Sequence, residues 1–205
     1  MTLQKHWDKS YLNSSEEKLG WYETDLNPSL DLIAKTNLSK NTKILSVGAG
    51  ITTLIDELLK QGYSNLLATD ISAVALNKLK SRIGKKNIEC ITDDLTNPVS
   101  LLKMKPVDLW IDRAVLHFFT GRKDQETYFD LLRSKVKRNG YALFAEFNTN
   151  GAKVCSGLPV HRYNEEMLMK RLGTEFELID SFEYTYIMPS GDKRPYIYAL
   201  FKKNN

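Results

Sequence analysis

The chain has 205 residues, a formal net charge of +4 and 42% hydrophobic residues. This length suits one α/β domain with a full apolar core, so we expect a single domain, 1–205, in which 28–205 form the core. Two distant cysteines argue against a disulfide framework or a metal cluster, and no apolar run is long enough to cross a membrane, so we expect a cytoplasmic protein without a metal.

Short apolar segments alternate with amphipathic segments from residue 43 onwards. A helix predicted at NPSLDLIAKT, beginning near Pro28 or Ser29, precedes them. We predict strands at KILSV (43–47), NLLATD (65–70), NIECIT (87–92), VDLWID (107–112) and YALFAEF (141–147). We predict helices at TTLIDELLKQ (52–61), AVALNKLKSRI (73–83) and DQETYFDLLRSKVK (124–137). A turn at Asn139 and Gly140 should precede the fifth strand. This order is typical of a parallel sheet covered on both faces.

The end of the chain has a different pattern. After a predicted helix at NEEMLMKRLG (164–173) come two long strand-like runs, FELIDSFEYTYI (176–187) and RPYIYALFKK (194–203), joined by Pro189, Ser190 and Gly191. These runs predict a β-hairpin, so one strand must run antiparallel to the others. The predicted fold class is therefore α/β: a three-layer αβα, Rossmann-like sandwich around a mostly parallel, seven-stranded sheet.

The first predicted strand runs directly into Gly48, Ala49 and Gly50. Ligands of open parallel sheets bind at the carboxyl ends of the strands, and glycine lets a ligand approach the backbone closely. The start of the following helix offers free N–H groups. This turn therefore indicates a nucleotide site, and a plain tight turn is the alternative. Thr53 stands where a dinucleotide-binding pattern would have its third glycine.

Acidic residues end the next two predicted strands. Asp70 can accept hydrogen bonds from both hydroxyls of a ribose. The alternative is a helix N-cap, a role for which Ser72 is also available. Asp93 and Asp94 end the third strand. We expect Asp94 to accept from an adenine amino group while Leu95 lies against the base, and the other acid is available to begin the next turn.

The segments ILSVGAG, ATDIS, TDDL and VDLWIDRA, in this order and spacing, resemble motifs of the class I, seven-β-strand S-adenosylmethionine-dependent methyltransferases. The predicted terminal hairpin is similar to the end of that fold. More narrowly, HWDKSY, GWYE, DRAVLHFFTG, CSGLPVHRY and MPSG resemble a group of small bacterial methyltransferases, mostly without an assigned substrate. A looser similarity extends to protein-lysine methyltransferases of the same fold.

This resemblance implies S-adenosyl-L-methionine as the cofactor and S-adenosyl-L-homocysteine as the product. The cofactor-binding residues it implies are Gly48, Ala49, Gly50, Asp70, Ile71, Asp94, Leu95 and Asp112. The family often has an acid at the position of Ser46, and the narrower group often has histidine at the positions of Ile111 and Tyr186.

The N-terminal segment, 1–27, is too aromatic for a disordered arm. We interpret it as a lid over the cofactor, with Trp7, Tyr11, Trp21 and Tyr22, and we include Trp21 among the cofactor-binding residues. The alternative is a separate apolar cluster under the first helix. The two interpretations overlap, because a closed lid must pack on something.

The segment WIDRAVLHFFTGR follows the fourth predicted strand at the same sheet edge. It contains the candidate catalytic residues: Asp112, which the resemblance places near the acceptor, Arg113 to bind a carboxylate, and His117 as a general base. The alternatives are an internal pair between Arg113 and Asp112, and a His117 that packs between its neighbours. In the loop after the fifth strand, Arg162 and Tyr163 are candidate substrate contacts.

The resemblance implies an enzyme that transfers a methyl group to a small molecule or a protein side chain by direct in-line displacement. The segment WIDRAVLHFFTGR lacks the Asn/Asp-Pro-Pro-Tyr pattern of many nucleic-acid amine methyltransferases, so we expect no nucleic acid partner. The alternative is a catalytically inactive cofactor-binding module that acts through a partner protein. A nicotinamide-dependent oxidoreductase is disfavoured by the missing third glycine and by the terminal hairpin.

Overall fold

The structure is a computed structural model that describes residues 2–84 and 88–205. Its helices are Leu3–Asn13 (α1), Asn27–Lys35 (α2), Leu54–Lys60 (α3), Ala73–Ile83 (α4), Ser100–Lys103 (α5), Arg122–Lys135 (α6) and Glu165–Leu172 (α7). Its strands are Lys43–Val47 (β1), Asn65–Asp70 (β2), Glu89–Thr92 (β3), Val107–Arg113 (β4), Val136–Phe147 (β5), Val154–Cys155 (β6), Leu158–Pro159 (β7), Phe176–Ile187 (β8) and Lys193–Lys203 (β9).

Seven of these strands form one sheet in the order β3-β2-β1-β4-β5-β9-β8. The first five strands of the chain pair in parallel. Strand β9 lies between β5 and β8 and is antiparallel to both. The predicted fold class is therefore confirmed, including the single antiparallel strand contributed by the terminal hairpin. Strands β6 and β7 form a separate two-stranded hairpin.

Apolar layers cover both faces of the sheet. Helices α2, α3 and α4 pack on one face through residues such as Leu32 and Leu58. Helices α5, α6 and α7 pack on the other through residues such as Leu132 and Leu168. A strand between two such layers must be apolar at successive positions, which explains the unbroken hydrophobic runs in the sequence.

Local signals set several helix boundaries as the sequence indicates. Ser72 caps α4, because its Oγ accepts a hydrogen bond from Ala75 N at 3.1 Å. Gly84 follows the same helix with a φ of 70°, which glycine adopts without strain. Asn164 caps α7 by accepting a hydrogen bond from Met167 N at 2.9 Å.

The predicted turn at Asn139 and Gly140 instead lies within β5. Pairing with β4 joins Val107 to Val136 and resumes only between Leu109 and Tyr141. The residues between the two paired parts therefore bulge out of the sheet, with Asn139 in the left-handed region at a φ of 58°. The turn-forming pair shapes the bulge and does not separate the helix from the strand.

Some elements differ from the sequence prediction in length or were missed. The third strand is shorter than predicted, and its predicted Asn87 lies outside the described residues. Helices α1 and α5 and the β6–β7 hairpin were not predicted. Within 2–84 and 88–205, no helix combines the length and apolarity that a membrane span needs, and no group of three or more His, Cys, Asp and Glu side chains could hold a metal ion.

Candidate active site

Strand order reverses between β1 and β4, because β2 and β3 lie on one side of β1 and the later strands lie on the other. Open α/β sheets bind ligands at the carboxyl ends of the strands beside such a reversal. A cavity of about 460 Å³ lies there, a volume typical of small-molecule sites. Eight predicted site residues line it: Trp21, Gly48, Ala49, Asp70, Ile71, Asp94, Leu95 and Arg113.

The turn after β1 requires glycine for two reasons. Gly48 and Gly50 have positive φ values of 49° and 52°. A Cβ on Gly48 would lie 2.2 Å from Val115 Cγ2, and a Cβ on Gly50 would lie 2.3 Å from the Tyr11 hydroxyl. Gly48 lines the cavity. Gly50 does not, but its N–H donates a hydrogen bond to Oδ2 of the lining residue Asp70 at 2.7 Å.

Asp70 lines the cavity at the end of β2 and is 6% exposed. Its oxygens accept hydrogen bonds from Gly50 N at 2.7 Å and from Ser72 N at 2.8 Å. Burial raises the pKa of Asp70 to about 6, although these N–H groups oppose the shift. The N-cap alternative for Asp70 is wrong, because Ser72 caps α4. An ionised carboxylate has about four acceptor positions, so it retains capacity for ligand hydroxyls.

Asp93 and Asp94 both line the cavity beyond β3. Asp93 accepts from Val99 N at 3.1 Å and from Leu101 N at 2.8 Å, and so holds the turn that leads into α5. Asp94 Oδ1 accepts from the backbone N–H and the hydroxyl of Thr96 at 2.8 and 2.7 Å. Asp93 is therefore the acid that holds the next turn, and the contact of Asp94 with adenine stays a prediction.

Arg113 lines the cavity at the end of β4 and pairs with Glu23, with Nε and Oε1 2.9 Å apart. Its Nη1 donates to Trp21 O at 3.0 Å. The rings of Tyr186 and Tyr196 lie 5.1 and 5.4 Å from its guanidinium carbon. Burial opposes its charge, but the Glu23 carboxylate raises the pKa of Arg113 above its usual value. Arg113 therefore joins the N-terminal segment to β4 and does not pair with the preceding residue.

Asp112 and Glu146 are fully buried away from the cavity wall. Asp112 accepts from the Tyr128 hydroxyl at 2.6 Å and from Val115 N at 3.1 Å. Burial and the nearby Glu146 carboxyl raise the pKa of Asp112 well above its usual value, and burial raises the pKa of Glu146 to about 8. Two adjacent buried carboxyl groups resist losing both protons, so the pair retains a proton at neutral pH.

His117 is fully buried and does not line the cavity. Its ring stacks on Phe147 with 4.5 Å between centroids, and its Nδ1 lies 2.8 Å from Glu146 Oε2 at an angle that forms no hydrogen bond. Burial lowers the pKa of His117 to about 3, so the ring is neutral. This geometry corrects the expectation that His117 and Asp112 act on substrate: both support the turn Leu116–Phe118.

Helix α1 and the following segment cover the cavity. The Trp7 ring lies edge-on to Trp21 and Phe118, with centroids 5.5 and 5.0 Å apart. Asp8 in the same helix accepts a hydrogen bond from Ser72 Oγ at 2.6 Å. The aromatic residues of this segment also form a small apolar cluster apart from the two main layers. The lid and the cluster interpretations thus describe the same packing, and opening of the lid stays a prediction.

Part of the cavity wall is apolar and aromatic. The side chains of this part are Trp7, Phe118, Phe147, Val154, Cys155 and Tyr196. The β6–β7 hairpin supplies part of this wall through a two-residue turn, Ser156 and Gly157, with φ values of 50° and 76°. Ser156 Oγ lies 3.5 Å from His6 Nε2, so the hairpin tip and α1 meet at the rim.

Arg162 and Tyr163, the other candidate substrate contacts, do not line the cavity. Arg162 Nη1 donates to Thr149 O at 2.6 Å and to Gly151 O at 3.3 Å. Tyr163 is fully buried. Arg162 therefore holds the loop that carries the hairpin, and Tyr163 belongs to the apolar core.

Sequence reasoning missed Glu23 and Glu146. Glu146 carries a signal, because it is an acid inside the otherwise apolar strand YALFAEF. Glu23 carries none, because its partner Arg113 is far along the chain and no local pattern joins them. The β6–β7 hairpin has a weak signal in the glycine that follows Ser156.

The cavity wall fits an adenosyl sulfonium with an amino-acid end. Gly48 keeps the end of β1 open, Asp70 offers a carboxylate, and Leu95 offers an apolar surface for a base. In addition, Glu23 Oε2 and Arg113 Nη2 are buried without a hydrogen-bond partner among the described residues. Unpartnered buried polar atoms are rare unless a ligand or water completes them, so these two atoms are available to a ligand in the cavity.

The sequence matches the protein family described as Methyltransferase domain over residues 45–144. It is 26% identical over 161 residues to EEF1A lysine methyltransferase 2 of Danio rerio, which covers 71% of this chain and 68% of that protein. The Mus musculus protein of the same name is 28% identical over 168 residues, which covers 74% of this chain and 68% of that protein.

Solved structures with the same fold include a SAM-dependent methyltransferase from Anabaena variabilis, with a TM-score of 0.78, 16% identity and coverage of 98% of this chain and 93% of that chain. The N-methyltransferase NodS from Bradyrhizobium japonicum, solved with S-adenosylhomocysteine, has a TM-score of 0.74 and 12% identity, with 98% of both chains covered. At these identities the likeness concerns the fold alone.

The sequence match over residues 45–144 and the sheet order together support a class I, seven-β-strand, S-adenosylmethionine-dependent methyltransferase. The chain is therefore an enzyme, and S-adenosyl-L-methionine is its cofactor.

Proposed function

We propose that this methyltransferase acts on an amine nitrogen of a protein, the side chain of lysine. The observation that carries this proposal is the set of aromatic and apolar side chains on the cavity wall, such as Trp7, Phe118 and Phe147. Such a wall suits the four-carbon stem of lysine, whose polar group is only at its tip. The names of the Danio rerio and Mus musculus relatives, lysine methyltransferases of EEF1A, point to the same acceptor.

The residues at the β1–β3 strand ends would hold the adenosyl group. Asp70 would accept from the ribose hydroxyls, and Asp94 and Leu95 would contact the adenine. When bound, the cofactor supplies a methyl group by in-line displacement, in which the new bond to nitrogen forms as the carbon–sulfur bond breaks. The protein's share is then orientation and exclusion of water, and orientation is worth up to about 7–11 kcal/mol in intramolecular reactions.

The attacking amine must be uncharged, because a protonated ammonium has no lone pair. The rings of Trp7, Phe118 and Phe147 would remove water from the lysine tip, and desolvation lowers the pKa of a buried lysine. The ammonium would release its proton to bulk water as the lysine enters, before the rings enclose its tip, and the uncharged amine would then attack. His117 has no part in this step, because it is buried away from the wall.

Methylation with isotope-labelled S-adenosylmethionine tests the acceptor class. We expect label on lysine side chains of purified eEF1A, located by mass spectrometry of its peptides, and none after chemical acetylation of those lysines. A panel of small amines serves as the comparison. Label only on small amines would reject the protein acceptor and leave the enzyme class intact.

A cytoplasmic location also stays a prediction, which fractionation of cells that express a tagged chain would test.

A further inference from the structure

Two charged side chains on the cavity wall carry atoms that nothing in the described chain satisfies. Glu23 is 5% exposed, and the Arg113 side chain is 12% exposed. Arg113 Nε lies 2.9 Å from Glu23 Oε1, an ion-pair distance, but at an angle that forms no hydrogen bond. Glu23 Oε2 and Arg113 Nη2 remain buried with no hydrogen-bond partner among the described residues. Burying an unpaired polar atom is costly, so the two atoms point to a ligand that offers both a donor and an acceptor.

We propose that Glu23 and Arg113 together bind the amino-acid end of the cofactor. Glu23 accepts a hydrogen bond from its ammonium, and Arg113 donates to its carboxylate. The amino-acid end is a zwitterion, so its ammonium can face the carboxylate of Glu23 while its carboxylate faces the guanidinium of Arg113. This inference rests on the proposal that the adenosyl group lies against Asp70, because that placement directs the amino-acid end toward β4.

The distribution of charge along the wall favours this assignment. Arg113 and Arg194 are the cationic side chains among the described lining residues. Arg194 lies on β9, whereas Arg113 ends β4, the direct neighbour of β1. The other lining acids, Asp70, Asp93 and Asp94, follow β2 and β3, and each accepts at least one backbone N–H group. Glu23 is therefore the acid with an uncommitted oxygen at the β4 end.

The pair is also held in place before any ligand binds. The Tyr198 hydroxyl donates to Glu23 Oε1 at 3.4 Å, and Trp21 O accepts from Arg113 Nη1 at 3.0 Å. The rings of Tyr186 and Tyr196 pack over the guanidinium. Groups that are already ordered lose little entropy on binding, so they contribute more of their interaction energy to affinity.

Calorimetric titration with the reaction product and with a shortened analogue of it tests the inference. S-adenosylhomocysteine has the amino-acid end, whereas 5′-methylthioadenosine lacks it and keeps the adenosyl part. We expect Glu23→Gln and Arg113→Lys each to weaken S-adenosylhomocysteine binding about tenfold or more, because charge-assisted hydrogen bonds are lost. Affinity for methylthioadenosine should not change. Glu17→Gln is the matched control, an exposed acid in the same segment, and should bind both ligands as the unaltered protein does.

The two ligands separate the outcomes. Equal weakening of both ligands, or unchanged affinity for S-adenosylhomocysteine, would overturn the role of Glu23 and Arg113. If the unaltered protein binds methylthioadenosine as tightly as S-adenosylhomocysteine, the amino-acid end has no site and the inference fails while the adenosyl site stands. If it binds neither ligand, the proposed adenosyl site fails as well. If Glu23→Gln does not fold, the titration of Arg113→Lys decides the test, because lysine keeps the positive charge opposite Glu23.

Discussion

Gly48 lies between the end of β1 and the cavity, and its conformation and its surroundings both require glycine. Its φ is 49°, and a Cβ there would lie 2.2 Å from Val115 Cγ2. Val115 belongs to the segment that also lines the cavity after β4. A side chain at residue 48 would therefore displace the wall on the β4 side, in addition to straining the backbone.

Gly48→Ala should abolish measurable binding of S-adenosylhomocysteine and lower the free energy of unfolding by about 1–3 kcal/mol through backbone strain. Calorimetric titration and urea unfolding measure the two effects. Gly62→Ala is the matched control, because Gly62 also has a positive φ of 89° but nothing within 4 Å of an added Cβ. The Gly62→Ala variant should lose stability and still bind S-adenosylhomocysteine. Normal binding of this ligand by Gly48→Ala would show that the turn does not shape the site.

Asp70 connects the first two strand ends by accepting from Gly50 N and Ser72 N. Asp70→Asn keeps the shape but turns one acceptor into a donor, so we expect a loss of about tenfold or more in affinity for S-adenosylhomocysteine. Asp108→Asn is the control, because Asp108 also accepts a backbone N–H, from Lys43 at 2.9 Å, but does not line the cavity. An Asp70→Asn protein with unaltered affinity would remove the ribose role.

Among the elements, α1 and the β6–β7 hairpin enclose the cavity from two sides. Neither belongs to the seven-stranded sheet, and both contribute residues to the wall, such as Trp7 and Cys155. They meet at Ser156 and His6. The sheet edge therefore forms one part of the cavity wall, and these two added elements complete it.

Trp7→Ala should speed the dissociation of S-adenosylhomocysteine on the order of tenfold, because the edge-on contacts of Trp7 with Trp21 and Phe118 keep α1 over the cavity. Leu12→Ala is the control on the same helix, since Leu12 is 65% exposed. Stopped-flow displacement measures both rates. Equal rates in the two variants would mean that α1 is a packed cluster and does not retain the ligand.

For the whole molecule, the buried acid pair links stability to pH. Burial raises the pKa of Glu146 to about 8, and the pKa of Asp112 is also raised. Up to that pH the folded state holds protons that the unfolded state has lost, so stability falls as pH rises. His117 acts in the opposite direction, because its pKa is lowered from 6.5 to about 3, but its contribution is complete above pH 6.5. Of these buried groups, the acid pair therefore sets how stability depends on pH between about pH 6.5 and pH 8.

Unfolding by urea at several pH values in that window should show a free energy of unfolding that falls with rising pH. Glu146→Gln should flatten this dependence, because the amide cannot ionise. Glu177→Gln, at an exposed position of β8, should leave the dependence unchanged. If Glu146→Gln and the unaltered protein have parallel profiles, Glu146 is ionised in the folded state throughout and the proton is not retained.

The sequence by itself determined the strands of the seven-stranded sheet, most of the helices, the terminal hairpin and the sheet edge that carries the cavity. Hydrophobic runs, caps and turn glycines are local signals, and parallel strands bring their carboxyl ends to one edge in any such sheet. That is why Gly48, Asp70 and Asp94 could be assigned together to a single site. The bulge in β5 and the short β6–β7 hairpin were not predicted, because turn residues alone do not decide between a turn and a bulge.

Only the tertiary structure decided which side of the β4 segment faces the ligand. Spacing places Asp112, Arg113 and His117 close together, yet Arg113 reaches the cavity while the other two are buried beside Glu146. Successive residues of a strand point to opposite faces, and a loop adds turns that no period predicts. The pairing of Glu23 with Arg113 likewise depends on how the N-terminal segment crosses the sheet, which is a long-range contact with no local signature in the chain.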